Sequence, residues 1–396
     1  MSASIGSTTM EPVESLFSWF REMLNSQPIS SEGDHGLQVF GYEDITRILA
    51  DTKTFSSETA RLFNLPHPEL DRFDEGNLVT TDPPRHRKLR TVISQVFTPR
   101  SVANLAERIE LITDTLLDKV ADRDSFDLVD ALAFPLPITV IADVLGLPIE
   151  DEPLFRVWGD AIGALDAATV PPELLEGEVG PALHEMGEYF LRHMRDRRQN
   201  PRDDVMSRLA NATIDGEPLT DGEMIGVTGL TMFAGHATTM SLICTAVILL
   251  GQHPEALAEI RADRDLVPGA LEEVLRMYPP FPRLVRVTTT DTEIGGHPVA
   301  ANQLVTPWIG AANRDGAKFP DPDRFDIHRN TGGHLVFGQG IHFCLGAPLA
   351  RLEGKIALNL LLDRYSKISV DPERGVEWEN PNQIICPRRL PVRATR

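Results

Sequence analysis

The chain contains a stretch of 27 residues, from Met224 to Leu250, without one formally charged side chain. A helix of that length is long enough to cross a bilayer. Two features oppose a membrane span: a polar cluster, HATTMS, lies at its middle, and no lysine or arginine flanks either end closely. We therefore expect a long helix buried through the centre of a large soluble domain.

The composition narrows the class of protein. The 396 residues suffice for one large single-core enzyme or two ordinary domains, and a formal charge of −20 argues against nucleic acid or an anionic membrane as the main partner. The three cysteines, Cys244, Cys344 and Cys386, are too few and too scattered for a disulfide framework, so a reducing cytoplasm is expected. The first residues lack a basic region followed by an apolar run, and no signal peptide is predicted.

Local patterns predict a mainly α-helical chain with a small β region. Helical periodicity dominates from residue 84 to about residue 278 and is interrupted at FPLP, LGLP and QNPRDD. The strand candidates are RVTTTD, HPVAANQLVTPW, ISV and LPVRA. Residues 1–36 are polar and are expected to be partly disordered. No convincing boundary divides residues 37–396, which we expect to form one domain.

One cysteine lies in an unusual setting, the sequence FGQGIHFCLGAPLAR at residues 337–351. Its glycines, Gly338, Gly340 and Gly346, allow left-handed or closely packed backbone around Cys344. A helix is predicted after them by an apolar stripe at Leu345, Leu349, Leu352, Ile356 and Leu360. Cys344 therefore lies at a helix N-terminus, where free N–H groups and the helix dipole favour a thiolate.

A thiolate among glycines could be a nucleophile, a zinc ligand or an axial haem ligand. Zinc is a poor fit because only His342 stands at chelating spacing. A buried structural cysteine, the commonest role of a lone cysteine, explains neither the three glycines nor the helix start. A haem ligand explains both, because a flat macrocycle must lie close to the backbone and its ligand must be held as an anion.

The cysteine loop resembles the haem-binding signature of the cytochrome P450 family. The residues that fit are Phe337, Gly338, Gly340, His342, Cys344, Leu345, Gly346, Leu349, Ala350, Arg351 and Glu353. The resemblance runs from about residue 39 to residue 392. It implies a cytochrome P450 fold, a triangular single domain with haem b between the central distal helix and the helix after the cysteine loop. Cys344 would be the axial ligand, with Phe337, Gly338 and Gly346 beside the cofactor.

A charged pair in GALEEVLRMYPP matches a structural feature of the family. Glu273 and Arg276 stand three apart in a helical pattern, and apolar neighbours suggest partial burial. An isolated pair of this kind is often only a weak surface contact. The resemblance makes it the family's E-x-x-R pair, joined by Arg324 from a later segment, and assigns all three residues to the scaffold.

Four further residues are candidates for holding the haem propionates. His86 and Arg90 share a helix face, and burying such side chains calls for an anionic partner. Similar sequences use these two positions, together with Arg286 and His342, to bind the propionates.

A basic patch is expected on the thiolate side of the haem. It would consist of Arg87, Lys88, Arg351 and Lys355, with Arg85 beside them. An ordinary solvated surface has a similar composition. We interpret the patch as a docking site for an acidic electron donor, a ferredoxin or flavodoxin-type protein with its reductase.

The uncharged helix departs from the family pattern at one position. Gly235 and the Thr238–Thr239 pair should loosen the helix, and they resemble the family's oxygen-binding kink, in which Thr238 holds water and passes protons. The family usually has an acid before this threonine, but here Ala237 takes its place, which removes one member of a proton relay. His236 is a poor replacement because adjacent helical residues face different directions.

The family fold also suggests a substrate pocket. It would be lined by residues 58–78 and 158–180, and by Phe233, Ala234, Pro282, Leu284, Val285, Ile384 and Ile385. These segments are mainly apolar, which favours a lipophilic substrate. The stretch beginning at Pro171 and Pro172 is interpreted as a mobile access loop.

The resemblance implies a cytoplasmic, monomeric haem-thiolate monooxygenase. It would use O2 to hydroxylate or epoxidise a small organic substrate in secondary metabolism or catabolism. Ala237 leaves open non-standard chemistry: peroxide-driven oxidation, oxidative coupling or nitric oxide reduction. The family's nitric oxide reductases take electrons from a nicotinamide cofactor at a basic entrance. In this chain the candidate entrance, residues 56–76, carries two arginines against five acids, a balance that repels a dinucleotide. Outside this class, a non-catalytic haem sensor and a cysteine nucleophile enzyme without haem are the alternatives.

Overall fold

The structure is a computed structural model that describes residues 10–31, 36–62, 67–165 and 171–396, without the side chains of residues 60 and 61. Within these ranges the α-helices are α1 Glu11–Ser26, α2 Tyr42–Ala50, α3 Pro68–Asp74, α4 Arg85–Ser94, α5 Pro99–Ala103, α6 Ala106–Asp118, α7 Pro135–Leu145, α8 Glu152–Ala164, α9 Pro172–Leu174, α10 Gly180–Gln199, α11 Val205–Ala210, α12 Asp221–Gln252, α13 Pro254–Ala262, α14 Val267–Met277, α15 Ile309–Ala312 and α16 Ala347–Arg364.

The strands are short and form small sheets. They are β1 Ile29–Ser30, β2 Leu37–Val39, β3 Phe55–Ser56, β4 Ser125–Asp127, β5 Thr213–Ile214, β6 Glu217–Pro218, β7 Arg286–Thr288, β8 Thr292–Ile294, β9 His297–Val299, β10 Leu304–Pro307, β11 Lys367–Val370, β12 Glu377–Trp378, β13 Pro387–Arg389 and β14 Pro391–Thr395. The largest sheet has the order β1-β2-β10-β7-β3, in which only β2 and β10 pair in parallel. A second sheet has the order β11-β14-β4.

The predicted mainly helical chain with a small β region is confirmed, because the strands in the described ranges are only two to five residues long. Each strand candidate overlaps a strand: RVTTTD contains β7, HPVAANQLVTPW contains β9 and β10, ISV lies within β11, and LPVRA overlaps β14. The breaks at LGLP and QNPRDD also hold, because α7 ends at Leu145 and α10 ends at Gln199.

Residues 11–26, within the segment expected to be partly disordered, form the helix α1. Its buried face consists of Val13, Leu16, Phe17, Phe20 and Met23, a helical spacing. These side chains pack in a core with α14 and Trp308, and the ring of Phe17 meets that of Tyr278 edge-on at 5.1 Å. Residues 1–9 and 32–35 lie outside the described part of the chain.

The chain folds into two compact units. One comprises the residues up to Ser56 together with Asn104–Leu136 and Ala237–Arg396, and the other comprises Ser57–Ala103 and Pro137–His236. The first contains every described strand except β5 and β6. The division falls within α12, between His236 and Ala237.

The uncharged stretch lies in α12, a single 32-residue helix, as predicted. By length and composition it could cross a membrane, with a mean hydropathy of 1.7 in its most apolar window, but 72% of that window is buried inside the protein. This burial shows that α12 is a core helix of the fold.

Helix α16 buries a different face from the predicted one. Of the predicted stripe only Leu349 is fully buried, whereas Leu352, Ile356 and Leu360 are half-buried. The buried face is centred on Leu349, Glu353, Gly354, Ala357, Leu358, Leu361 and Leu362. Gly354 on this face lets α12 approach closely, because a Cβ there would lie 2.9 Å from Leu242. The same face includes the carboxyl group of Glu353. Burial raises the pKa of Glu353 well above its usual value.

Candidate functional site

The cysteine loop turns back on itself just before α16. Gly338 and Gly340 have φ angles of +68° and +67°, a left-handed conformation that favours glycine. The backbone N–H of Cys344 donates to the carbonyl of Phe337 at 2.7 Å. A short 3₁₀ turn, Gly340–His342, leads to Cys344, which stands three residues before the first residue of α16. The predicted place of the thiol at a helix N-terminus is confirmed.

The three thiols differ sharply in accessibility. Cys344 is exposed, whereas Cys244 and Cys386 are 0% exposed, and burial raises the pKa of both. No group of three or more His, Cys, Asp or Glu side chains that could hold a metal ion occurs in the described ranges. A single accessible thiol therefore fits a metal that brings its other ligands with it, which is the situation of a haem iron.

Glu273 and Arg276 form a fully buried ion pair on α14. Arg276 donates from Nε and Nη2 to the two carboxylate oxygens, at 2.7 and 2.9 Å, and from Nη1 to the carbonyl of Asn313 at 2.8 Å. Buried charges of this kind persist because each is paired and hydrogen-bonded.

The third member of this network is Arg329, and the prediction of Arg324 is wrong. Arg329 Nε lies 3.0 Å from Glu273 Oε1, whereas Arg324 is exposed and contributes only its backbone carbonyl, which accepts from Arg329. Both arginines belong to the same irregular stretch, five residues apart. Its turns, not its composition, decide which side chain points inward.

The four propionate candidates lie on three elements of the structure. In the first unit, Arg286 begins β7 and is buried, with Nη1 donating to the carbonyl of Val285 at 2.7 Å, and His342 ends the 3₁₀ turn. In the second unit, His86 and Arg90 lie one turn apart on α4. Burial lowers the pKa of His86, and the neighbouring Arg90 lowers it further.

The expected loosening does not interrupt α12, which is α-helical from Asp221 to Gln252. The structure gives Gly235 a packing role instead, because a Cβ there would lie 3.1 Å from Ile141 of α7. Ala237 is buried, while Thr238 is half-buried and retains some accessible surface. The acid on α12 nearest to Ala237 is Glu223, which is 14 residues before it, or about 20 Å along the helix axis.

The predicted pocket residues differ in how much of each side chain is exposed. Leu284, Val285 and Ile384 are partly exposed, as is Phe233, which faces Gly163 of α8; Ala234 is exposed and Pro282 is buried. Ile385 is a correction, since its side chain is 0% exposed within the core. Its backbone is also fixed, because its N–H donates to Pro280 and its carbonyl accepts from the Ser241 hydroxyl.

The stretch interpreted as an access loop is largely helical. After α9, a π-helical segment runs over Leu175–Val179 and continues into α10, and both of its end residues are buried. Apolar side chains at helical spacing explain this order. Parts of the two predicted lining segments, residues 63–66 and 166–170, lie outside the described chain.

Most of the predicted basic patch is already paired with acids. Lys88 contacts Asp215, Arg85 contacts Glu223 at 3.3 Å, and Arg351 forms a bidentate pair with Glu272. The exposed Arg87 and Lys355 form no ion pair with any acid that the structure describes. Composition alone revealed the cations but not their partners.

Comparison with known proteins places this arrangement in a family. The family model named Cytochrome P450 matches residues 181–391. A relative named cyclomarin C epoxidase CymV, from Salinispora arenicola, is 43% identical over 96% of this chain and 95% of its own length. Erythromycin C-12 hydroxylase from Saccharopolyspora erythraea is 38% identical, over 96% and 94%.

Solved structures agree with the sequence comparison. A mutant of P450 EryK in complex with erythromycin B superposes with a TM-score of 0.90, at 38% identity and over 98% of both chains. The predicted fold is thereby confirmed. The chain belongs to the cytochrome P450 family and is a haem-dependent monooxygenase that uses O2 and electrons from a redox partner to oxidise a small organic molecule.

Proposed function

We propose that this enzyme hydroxylates or epoxidises a lipophilic natural product in secondary metabolism, with haem b held by Cys344. The exposed thiol in its glycine loop carries this proposal, because the two other cysteines are buried. Residues 37–396 would act as one catalytic domain of a cytoplasmic monomer. When bound, the haem supplies the activation of O2, and the protein supplies the ligand, the orientation of the substrate and the protons.

Four side chains would anchor the haem carboxylates. Arg286 and His342 in the first unit, with His86 and Arg90 in the second, offer guanidinium or imidazole groups that suit charge-assisted hydrogen bonds. Phe337, Gly338 and Gly346 would lie beside the macrocycle. Burial of His86 favours its neutral form, which can donate one hydrogen bond without placing an uncompensated charge in the interior.

Thr238 would hold a water molecule that carries protons into the site, and Gly235 and Ala237 would shape the helix around it. With Ala237 in place of the usual acid, a proton must pass through ordered water or a polar group of the substrate. This makes proton delivery slower than in relatives that keep the acid. It also makes the yield of product depend on how well the substrate excludes bulk water.

Ala237 also supports a second candidate, chemistry that needs no standard proton delivery. Of the two arginines at the proposed entrance, Arg72 pairs with Glu69 at 3.7 Å and Glu188 at 3.4 Å, and the Arg61 side chain lies outside the described part. An entrance with that charge balance repels a nicotinamide dinucleotide. Peroxide-driven oxidation and oxidative coupling are therefore better alternatives than nitric oxide reduction.

The relatives support the substrate class. Their names refer to cyclomarin C and erythromycin, and a structure 40% identical to this chain is a post-tailoring hydroxylase of himastatin biosynthesis. Phe233, Leu284, Val285 and Ile384 would contribute apolar surface to a pocket for such a molecule.

A spectral screen followed by turnover tests the proposal. Haem-loaded protein is titrated with a panel of microbial secondary metabolites, and each compound that changes the spin state is incubated with a surrogate ferredoxin, its reductase and NADPH. A hydroxylated or epoxidised product supports the proposal. Compounds that change the spin state but are never oxidised support a haem sensor instead, and product formed only with peroxide supports the second candidate.

A further inference from the structure

Glu272 binds two side chains that contact the same aromatic ring. Arg351 donates to it from Nε at 2.6 Å and from Nη2 at 2.9 Å, and His334 Nε2 lies 2.9 Å from Oε2. The guanidinium carbon of Arg351 is 4.3 Å from the centroid of the Phe337 ring, and the centroid of His334 is 5.8 Å from it. Glu272 therefore fixes both neighbours of Phe337.

Phe337 connects this group of charges to the cysteine loop. Its carbonyl accepts the hydrogen bond from the N–H of Cys344, and Arg351 lies seven residues after Cys344, in α16. The hydrogen bond to Glu272 is the main cause that raises the pKa of Arg351, and a thiolate at Cys344 raises it further. The interaction is mutual, because a cation that a thiolate stabilises must also stabilise the thiolate.

The three polar side chains differ in exposure. His334 is 5% exposed, Glu272 22% and Arg351 41%. Two parallel N–H···O bonds and the ring contact hold the arginine in one orientation although its outer part meets solvent. A bidentate pair on a packed ring is better ordered than an ordinary surface ion pair. The position of its charge relative to Cys344 is thereby fixed.

We propose that Glu272 and His334 are positioning residues that, through Arg351, set the electrostatic environment of the Cys344 thiolate and so the reduction potential of the haem-loaded protein. The inference rests on the proposed ligation of haem by Cys344. A positive charge near the thiolate favours the state with one more electron, and the carboxylate of Glu272 offsets that charge.

A charge cycle at two positions tests the proposal. The midpoint potential is measured at low ionic strength, where screening of the half-exposed Arg351 is weakest. Glu272→Gln should shift it to more positive values, Arg351→Gln to more negative values, and the double variant should lie between the two single variants, close to the unaltered protein. Arg351→Lys keeps the positive charge but loses the two parallel hydrogen bonds to Glu272. It should therefore shift the potential less than Arg351→Gln.

Arg364→Gln is the matched control. Arg364 lies on the same helix, also pairs with two carboxylates, Asp114 and Asp118, and is 13 residues further on, about 20 Å along the axis. Its substitution should leave the potential unchanged. The His334→Gln variant should move the potential in the same direction as Arg351→Gln, but by less. It removes only one of the two side chains that Glu272 binds, and so only loosens the position of Arg351.

Two outcomes would overturn the inference: no shift in either single variant, or shifts of the same sign in both, which indicate loosened structure instead of charge. Thermal midpoints, measured in parallel, identify variants that are merely unstable. If Arg351→Gln is one of them, the midpoint potential of Arg351→Lys tests the effect of a change at position 351. The ferrous–carbonyl spectrum separates this inference from the proposed function. Normal thiolate spectra with unshifted potentials reject only the inference, and absent thiolate spectra reject the ligation itself.

Discussion

Arg329 Nε lies 3.0 Å from Glu273 Oε1, so one buried carboxylate holds two arginines, one from its own helix and one from a segment about 56 positions later in the chain. The backbone N–H of Asp326 donates to the same oxygen at 3.1 Å. Arg329 also ties its own segment together through the carbonyls of Pro320, Asp321 and Arg324. The contact therefore joins α14 to the irregular chain that precedes the cysteine loop.

Arg329→Gln should destabilise the haem-loaded protein by about 3 kcal/mol, because it leaves a buried carboxylate with one cation fewer. Arg324→Gln is the control and should change stability by less than about 0.5 kcal/mol, since that side chain is exposed. Thermal unfolding followed by haem absorbance measures both. Equal losses in the two variants would contradict the assignment of Arg329.

The pairing of Glu272 predicts a dependence of stability on acid pH. Although burial opposes it, hydrogen bonds and charge interactions with Arg351 and His334 lower the pKa of Glu272 to about 2. A depressed folded-state pKa contributes stability that is present above the unfolded value and lost as the pH falls. That contribution, about 2 kcal/mol after allowance for solvent screening, should disappear between about pH 5 and pH 2.

Glu272→Gln removes this titration and should flatten the acid limb of the stability curve. Chemical denaturation of the haem-loaded protein at a series of pH values measures the effect. Asp363→Asn is a suitable control, because Asp363 forms an exposed pair with Arg264 at 2.9 Å. A parallel loss of stability in the two variants as the pH falls would contradict the lowered pKa of Glu272.

Ala237→Glu should raise the fraction of reducing equivalents that ends in product. The change restores a carboxylate beside Thr238, and general acid catalysis typically contributes 10²–10⁴-fold; a gain of a fewfold in coupling would suffice to show the effect. NADPH consumption and product are measured together with the native substrate. Ala237→Gln controls for size. If coupling and rate are unaltered in Ala237→Glu, water and Thr238 already deliver protons efficiently.

Arg87 and Lys355 are the patch residues best suited to bind an acidic donor, because both are exposed and neither is paired with a described acid. Arg87→Glu and Lys355→Glu should each slow ferredoxin-supported reduction about tenfold at low salt while leaving substrate-induced spectra unchanged. Arg208→Glu, at an exposed ion pair with Asp203, serves as the control. Stopped-flow reduction over a range of donor concentrations makes the measurement. Unchanged rates would contradict a role of Arg87 and Lys355 in docking the donor.

Features of the fold that depend on residues close together in the chain could be predicted from the sequence. The glycines around Cys344, the long apolar helix and the short strands all have a local cause and were predicted correctly. Features set by distant residues were missed. Helix α1 carries a clear apolar stripe, but the core that receives it comes from Tyr278 and Trp308. The choice of Arg329 over Arg324 depends on turns that no periodicity describes.

The charges of the basic patch illustrate the same limit. Lysines and arginines are visible in the sequence, but Asp215 and Glu272 reach Lys88 and Arg351 from segments 127 and 79 positions away. Such pairing decides whether a cation is available to a partner or is used within the fold. The clamp of Glu272 on Arg351 and His334 was hidden for this reason.

The ferrous–carbonyl spectrum of the purified, haem-loaded protein tests the central claim most directly. If the sulfur of Cys344 binds the iron as an anion, the unaltered protein and Cys386→Ser will show the red-shifted Soret band of thiolate-ligated haem, and Cys344→Ser will lose it. An unaltered protein without that band, or a Cys344→Ser variant that keeps it, would contradict the account.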